Sequence, residues 1–470
     1  MKNSMGIQKL QTTSYREGWS CEVGVELQDS MGVHSISTAF DRRKDDGKLY
    51  ADNLLERILE RENLNSAYKR VKSNKGSHGV DGMKVDELLP YLKQHGKSLI
   101  AGILEGTYRP KPVRRVEIPK PDGGVRLLGI PTVIDRMVQQ SVAQVLTPIF
   151  ERTFSDNSFG FRPGRDTKQA VRKAREYMEQ GYKWVVDIDL AKYFDTVNHD
   201  KLMTLVAREI KDKRVLKLIR LFLQSGVMIN GVVIETGEGC PQGGPLSPLL
   251  SNIMLTELDR ELEKRGHKFC RYADDNNIYV KSKKAGERVM RSITNFLENK
   301  LKLKVNKDKS AIDRPWRRKF LGFTFYQWYG KIGIRVHQKS INKFKAKIKE
   351  ITSRSNAWDM EYRMVRLRQV ITGWLNHFGI ADITNIVKEL DEWTRRRLRM
   401  CFWKQWKKIK TKHDNLIKLG VKDTKAWEYA NTRKSYWRIA NSPVLSTTLT
   451  NSYLEKIGYT SVYKRYKQIH

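Results

Sequence analysis

The stretch "FCRYADDNNIYV", residues 269 to 280, sets Asp274 and Asp275 side by side inside an otherwise apolar and aromatic run. Phe269, Arg271 and Ala273 alternate with Cys270 and Tyr272, and Ile278, Tyr279 and Val280 resume after four turn-type residues. The spacing predicts strand, tight turn, strand: a β-hairpin with two carboxylates at its tip. Adjacent acids repel, and holding both ionised in a partly buried place is unfavourable unless a cation neutralises them. Asp and Asn are also ordinary turn formers, and alone a D-D-N-N turn is more often a solvated loop than a metal site. A third acid, and a use for a metal, would decide between the two.

A third acid is available in "YKWVVDIDLAKYFDTVNHDKL", residues 182 to 202. Trp184, Val185, Val186, Ile188 and Leu190 make a mostly apolar strand, broken by Asp187 and Asp189, which two-residue spacing puts on one face. Acids inside a buried strand are rare without a partner, although Asp187 and Asp195 could equally pair with Lys or Arg. "RRVEIPKPDGGVRLLGIP", residues 114 to 131, reads as a second hairpin with Lys120 and Arg126 at its tip. Two such cations could grip a triphosphate or simply be solvated. "GCPQGGPLSPLLSNIMLTELDREL", residues 239 to 262, is a Gly/Pro loop entering an amphipathic helix near Ser247, with Gly243 and Gly244 permitting close backbone approach.

Elsewhere the periodicity predicts two short helices from Leu54, a loop at 74–83, a helix near 85–95 and another near 285–301. A strand at LKV, residues 303–305, and a short apolar strand at 319–325 follow. Beyond residue 338 the pattern is helical throughout, with Ile341, Phe344, Ile348 and Ile351 beneath Lys-rich faces. Residues 1–50 are polar and without period, a loosely ordered extension.

The 470 residues exceed what one core usually serves. A formal net charge of +37 points to a polyanion partner, with nucleic acid ahead of an anionic membrane surface. No apolar run is long enough to span a bilayer, and no secretory segment follows Met1. Four dispersed cysteines without a C-x-x-C pair argue against a zinc module or disulfide framework and fit a reducing cytosolic setting. The charge is uneven: residues 301–470 carry 39 Lys and Arg against 13 Asp and Glu, a net of +26, leaving +11 for the first 300. Nine of the 11 tryptophans share that segment, suiting either base stacking or helix cores.

Seven blocks in order, IPKPDGGVRLLGIP, SFGFRPGRD, VVDIDLAKYFDTVNHD, PQGGPLSPLLSNIML, RYADD, LKLKVNKDKS and KFLGF, span roughly residues 52–325. They resemble the bacterial group II intron-encoded reverse transcriptase/maturase, and GWLNHF, RRRLRMCFWKQW and NTRKSYWR resemble its downstream segments. No paired cysteines or His-Asn-His-like cluster follow the basic tail, so the likeness is to compact forms without an endonuclease domain. The resemblance implies an α+β right-hand polymerase: fingers and palm over 51–330, a helical thumb/maturase domain over 331–410 and a basic DNA-binding module over 411–470. It implies that Asp189, Asp274 and Asp275 hold two Mg²⁺ ions, Asp189 being chosen because Phe194 then falls where a ribose-sensing aromatic sits. Lys120, Arg126, Gln242 and Gly243 match nucleotide-binding positions; Arg162 and Pro163 match a template-side segment; Phe320, Leu321 and Gly322 match a primer-gripping strand; Lys309 sits where a proton donor for pyrophosphate is kept. Implied partners are the protein's own intron RNA, an RNA template, a DNA primer or target, and dNTPs, in a nucleoid-associated cytoplasmic particle, with no membrane and no protein partner. A splicing-only RNA-binding maturase, or a reverse transcriptase of a retron or defence lineage, are the competing readings.

Overall fold

The computed structural model describes residues 53–119, 124–229, 232–234 and 237–470, so the expected N-terminal extension lies outside the described residues. The chain divides into two compact units, one comprising residues up to Ala174 with Tyr182–Asp313, the other Arg175–Gly181 with Arg314–His470. The first unit begins with α1 (Leu54–Leu59) and α2 (Arg61–Ser73), as the heptad-like apolar spacing requires. A short 3₁₀ turn at Val85–Glu87 leads into α3 (Leu88–Leu104), which starts later and runs further than the helix expected near 85–95. Strands β1 (Val113–Pro119) and β2 (Val125–Ile130) form the anticipated antiparallel hairpin.

Helices α4 (Val133–Glu151) and α5 (Thr167–Glu179) come next, then β3 (Trp184–Ile188). Two helices, α6 (His199–Glu209) and α7 (Lys213–Leu223), precede the short strands β4 (Val227–Ile229) and β5 (Val232–Ile234). The sheet order β2-β1-β4-β5 joins this pair to the first hairpin through a parallel β1–β4 contact.

Helix α8 (Ser247–Lys264) leads into β6 (Lys268–Tyr272) and β7 (Asp275–Val280). Helix α9 (Lys283–Asn299) and β8 (Ala311–Asp313) complete a second sheet of order β6-β7-β3-β8, antiparallel throughout. Ser282 caps α9 by accepting from Ala285 N at 3.2 Å, and buried Val289, Ile293 and Leu297 recur at one-turn spacing. That face packs on β3, β7 and β8. A Cβ on Gly286 would lie 2.8 Å from Ile312 Cγ2, so only glycine lets the helix approach the sheet this closely. The LKV segment makes a single bridge, Leu190 with Val305, instead of the expected strand, because Leu303 and Val305 turn inward as core residues.

In the second unit β9 (Phe323–Trp328) pairs with β10 (Lys331–Val336). The apolar strand expected at 319–325 thus begins only at Phe323. Phe320 and Phe323 exchange backbone hydrogen bonds of 3.0 and 2.8 Å around Leu321 and Gly322, both at positive φ (51° and 88°), which closes a tight turn. Helices α10 (Gln338–Ile351), α11 (Met360–Phe378) and α12 (Thr384–Gln405) follow, with α13 (Ile409–Lys418) and α14 (Asp423–Ala430) behind them. Four short helices, α15 (Tyr436–Ile439), α16 (Pro443–Thr448), α17 (Asn451–Lys456) and α18 (Val462–Lys467), complete the unit. Buried Asp391 of α12 accepts from Tyr459 Oη and from Val462 N, each at 2.7 Å, tying the C-terminal helices down. No helix of the described residues is long and apolar enough to cross a membrane.

Candidate active site

The palm-type sheet brings the chosen acids to one end. Ile188 pairs with Asn276 across β3–β7, so Asp189, one residue on, lies beside the start of β7 and the hairpin tip. Its backbone is pinned there: Asp189 N donates to Ser310 Oγ at 3.0 Å and its carbonyl accepts from Asn306 N at 2.8 Å. Burial pushes the Asp274 carboxyl above the usual carboxylate range, the negative charge of Asp189 adds to this, and Arg126 and Arg271 oppose it. The charge of Asp189 is therefore close enough to Asp274 to disfavour ionisation of the Asp274 carboxyl. Asp275 is exposed and already part of β7, opposite Tyr272. Among the described residues no group of three His, Cys, Asp or Glu side chains forms a ready metal cage.

The four-residue turn expected at 274–277 is overturned. The hairpin closes on Ala273 and Asp274 alone, Ala273 taking φ 55°, while Asn276 and Asn277 are buried strand residues. Neither polar atom of the Asn276 side chain has a partner.

What holds the tip was not read from the sequence. Fully buried Arg271 donates to Asp259 Oδ1 and Oδ2 at 2.7 and 2.6 Å, to Asn252 Oδ1 at 3.0 Å and to the Ala273 carbonyl at 3.0 Å. On the other side Phe159 N donates to the Arg271 carbonyl and Arg271 N to the Asn157 carbonyl, both at 2.9 Å. A Cβ on Gly160 would sit 2.4 Å from Ala273 N, and Asn252 Nδ2 donates to the Gly160 carbonyl at 2.9 Å. The available signal was an Arg in an apolar strand, and Asn252 and Asp259 two helical turns apart on the buried side of α8.

The nucleotide-binding candidates gather in the same unit. Arg126 is exposed on β2 with its charge reaching Asp274, whereas Lys120 lies outside the described residues. Gly129 N donates to the Gln242 carbonyl at 2.7 Å, and Gly243, at φ 121°, leaves no room for a Cβ, which would fall 2.7 Å from the Gly129 carbonyl. The Gln242–Gly243 loop thus lies flush on β2. Phe194, half-buried in a 3₁₀ turn, stands edge-on to Tyr193 at 5.1 Å, and its carbonyl accepts from Cys240 N at 2.6 Å. Lys309 is exposed on the 306–310 loop that anchors Asp189, its N donating to Asn306 Oδ1 at 3.3 Å.

Arg162 lies in the loop between α4 and α5. It is buried, paired with Glu151 at 2.7 Å, and donates to the Ser158 carbonyl at 2.7 Å, so its guanidinium holds the loop together; exposed Pro163 follows it. Phe320, Leu321 and Gly322 belong to the second unit, where Ser340 Oγ donates to the Gly322 carbonyl at 3.1 Å.

The family profile "Reverse transcriptase (RNA-dependent DNA polymerase)" matches residues 118–325, and "Group II intron, maturase-specific domain" matches 341–420. Protein YkfC of Escherichia coli K12 is 36% identical over 307 residues, covering 57% of this chain and 81% of that protein. The group II intron-encoded protein LtrA of Lactococcus lactis subsp. cremoris is 30% identical over 352 residues, 61% of this chain and 57% of LtrA, so the chain spans little more than half of that relative. A solved partial Cas6-RT-Cas1--Cas2 complex overlaps 52% of this chain and 42% of that chain with a TM-score of 0.34 and 24% identity, too loosely to bear on the fold. The ordered motifs, the antiparallel sheet that carries them and these matches place the chain in the group II intron family of reverse transcriptases, RNA-directed DNA polymerases coupled to a maturase domain.

Proposed function

We propose that the chain copies its own intron RNA into cDNA for retrohoming, by nucleotidyl transfer at Asp189 and Asp274, and binds that RNA to assist splicing. The observation that carries this is the placement of two half-buried carboxylates, Asp189 and Asp274, at one end of the β3–β7 pair, where the charge of Asp189 helps push the Asp274 carboxyl up and that of Arg126 opposes it. Two such oxygen donors fit a hard divalent cation, and Mg²⁺ is the ion expected there. Asp189 and Asp274 would hold the ions, with exposed Asp275 as a weaker contributor. Bound ions of this kind make a primer 3′-hydroxyl a better nucleophile and steady the leaving pyrophosphate.

The chain's own groups do the rest. Arg126, with Lys120, grips the triphosphate oxygens. Phe194 occupies the space a ribose 2′-hydroxyl would need, favouring dNTPs, and the Gln242–Gly243 loop backs the nucleotide and template. Lys309 supplies a proton to pyrophosphate, and the 320–322 turn steadies the primer. Fingers and palm over 51–330, a thumb over 331–410 and a DNA-binding module over 411–470 complete the proposed layout. The cytoplasmic, nucleoid-associated ribonucleoprotein is its proposed setting.

Primer extension on an RNA template with dNTPs and Mg²⁺ tests the reading beside a splicing assay of the intron. Asp274→Ala should reduce extension by about a thousandfold or more, as loss of a metal-holding group does. An Asp274→Ala protein that extends primers at the native rate overturns it; one that loses extension yet splices normally separates the two activities.

A further inference from the structure

The loop between α10 and α11 is wrapped around one cation. Arg363, 3% exposed, donates to the carbonyls of Ile351, Ser353, Asn356 and Trp358 and to Asn356 Oδ1. None of these partners is a carboxylate. Carbonyl dipoles solvate a guanidinium without cancelling its charge, so burial of a full positive charge stays unbalanced here.

More cations crowd the same place. Arg354 on the loop and Lys404 near the end of α12 stand at 5.4 and 5.3 Å from the centre of the Tyr436 ring. The ring holds two like charges together that would otherwise separate. Arg397 donates to Thr352 Oγ1 at 2.5 Å and to the Lys349 and Thr352 carbonyls, again with no acid among its partners. Burial holds Arg397 below the ordinary arginine range, and the charge of Arg354 adds to this. Arg354, Arg363 and Lys404 line a concavity of about 160 Å³ with Trp358 and Cys401, and no Asp or Glu is among its lining residues. That volume is well under the roughly 300–1,000 Å³ of sites that enclose a whole small molecule. It suits one compact anionic group presented by a larger chain.

We propose that this concavity seats a phosphate of a bound RNA strand, with Arg354 and Lys404 gripping its oxygens above the buried Arg363. A fork-shaped guanidinium and a mobile ammonium are complementary phosphate donors, one geometric and one a point charge. RNA is the source of the phosphate because every lining residue falls within the segment matched by the maturase-specific profile. The proposal rests on the RNA-binding part of the function proposed above and names the place where one backbone contact is made.

The test uses the full chain, a fluorescein-labelled single-stranded RNA of mixed sequence, and DNA of the same sequence. The double variant Arg354→Ala/Lys404→Ala is compared with Lys407→Ala/Lys408→Ala, which removes equal charge from exposed positions outside the concavity. The first pair should weaken RNA binding about tenfold and flatten the dependence of log affinity on log salt by ~0.7 per lost contact. The second should cost about threefold or less. Equal losses in the two pairs, or an unchanged salt slope in the first, overturn the site in favour of diffuse attraction. A deficit confined to DNA overturns the choice of RNA. Wild-type protein that fails to bind RNA at all sinks the maturase reading itself, whereas binding indifferent to Arg354 and Lys404 removes only this seat.

Discussion

Arg271 and Asp259 have no exposed side-chain surface, and their double hydrogen bond sits directly beneath the Asp274 turn. Asp259→Ala leaves a guanidinium buried and unpaired, a change costing about 3–5 kcal/mol, to be read from urea unfolding of the variant. Arg271→Met with Asp259→Leu removes both charges and should recover most of that stability. It also removes the donor to the Ala273 carbonyl, so primer extension should stay depressed by about tenfold or more while stability returns. A pair of measurements that recover together would assign the ion pair to packing alone. Phe194 belongs to the same scale: Phe194→Ala should raise ribonucleotide incorporation about tenfold or more relative to dNTPs, a size in keeping with steric discrimination. An unchanged ratio strips Phe194 of its role.

Among the elements, those set by local chemistry were legible and those set by pairing were not. The hairpin of β1 and β2 follows from PDGG and flanking alternation, and α9 from its apolar spacing. Asn276 and Asn277 read as turn residues, yet pairing with Arg271 and Ile188, and with Cys270 and Asp187, draws them into β7. The 319–325 run reads as one strand, yet positive φ at Leu321 and Gly322 folds it back. Arg162 carries no local mark of Glu151, eleven positions away, claiming its charge. That Asp189 and the Asp274 hairpin share one sheet was legible only through the ordered family motifs; the Arg271–Asp259–Asn252 support was not, because it exists only once α8 meets β6.

Two helices are joined in a way that responds to pH. Asp212 caps α7, accepts from Leu55 N of α1 at 3.2 Å, and shares Arg214 with Glu56. Arg214 holds Glu56 below its ordinary value. Burial pushes Asp212 up, but the bonds from Arg214 and Leu55 outweigh it and leave it lowered. A carboxylate with a depressed folded pKa stabilises above its unfolded value and loses that contribution as pH falls through the folded one. Stability should therefore fall below about pH 4, and Arg214→Ala should blunt that acid loss. The substitution itself should cost about 1 kcal/mol at neutral pH, since the Glu56 pair is exposed. Thermal unfolding of both proteins across pH 3–7 gives the comparison, and parallel curves would refute the coupling.

Over the whole molecule the distribution of charge, +26 of +37 in residues 301–470, was fully legible in the sequence. RNA affinity should fall about a thousandfold or more between ~50 and ~200 mM salt, measured by anisotropy, if that tail contacts several phosphates at once. A shallow dependence would shift the binding to stacking. One contact described above has a reach beyond its size: Gly160 rides on the amide of Ala273 with no space even for a methyl group. The FGFRPG loop and the carboxylate at the neighbouring position are in effect a single lever. A shift of that loop is therefore passed through the Ala273 amide to the turn that carries Asp274, across a single peptide unit.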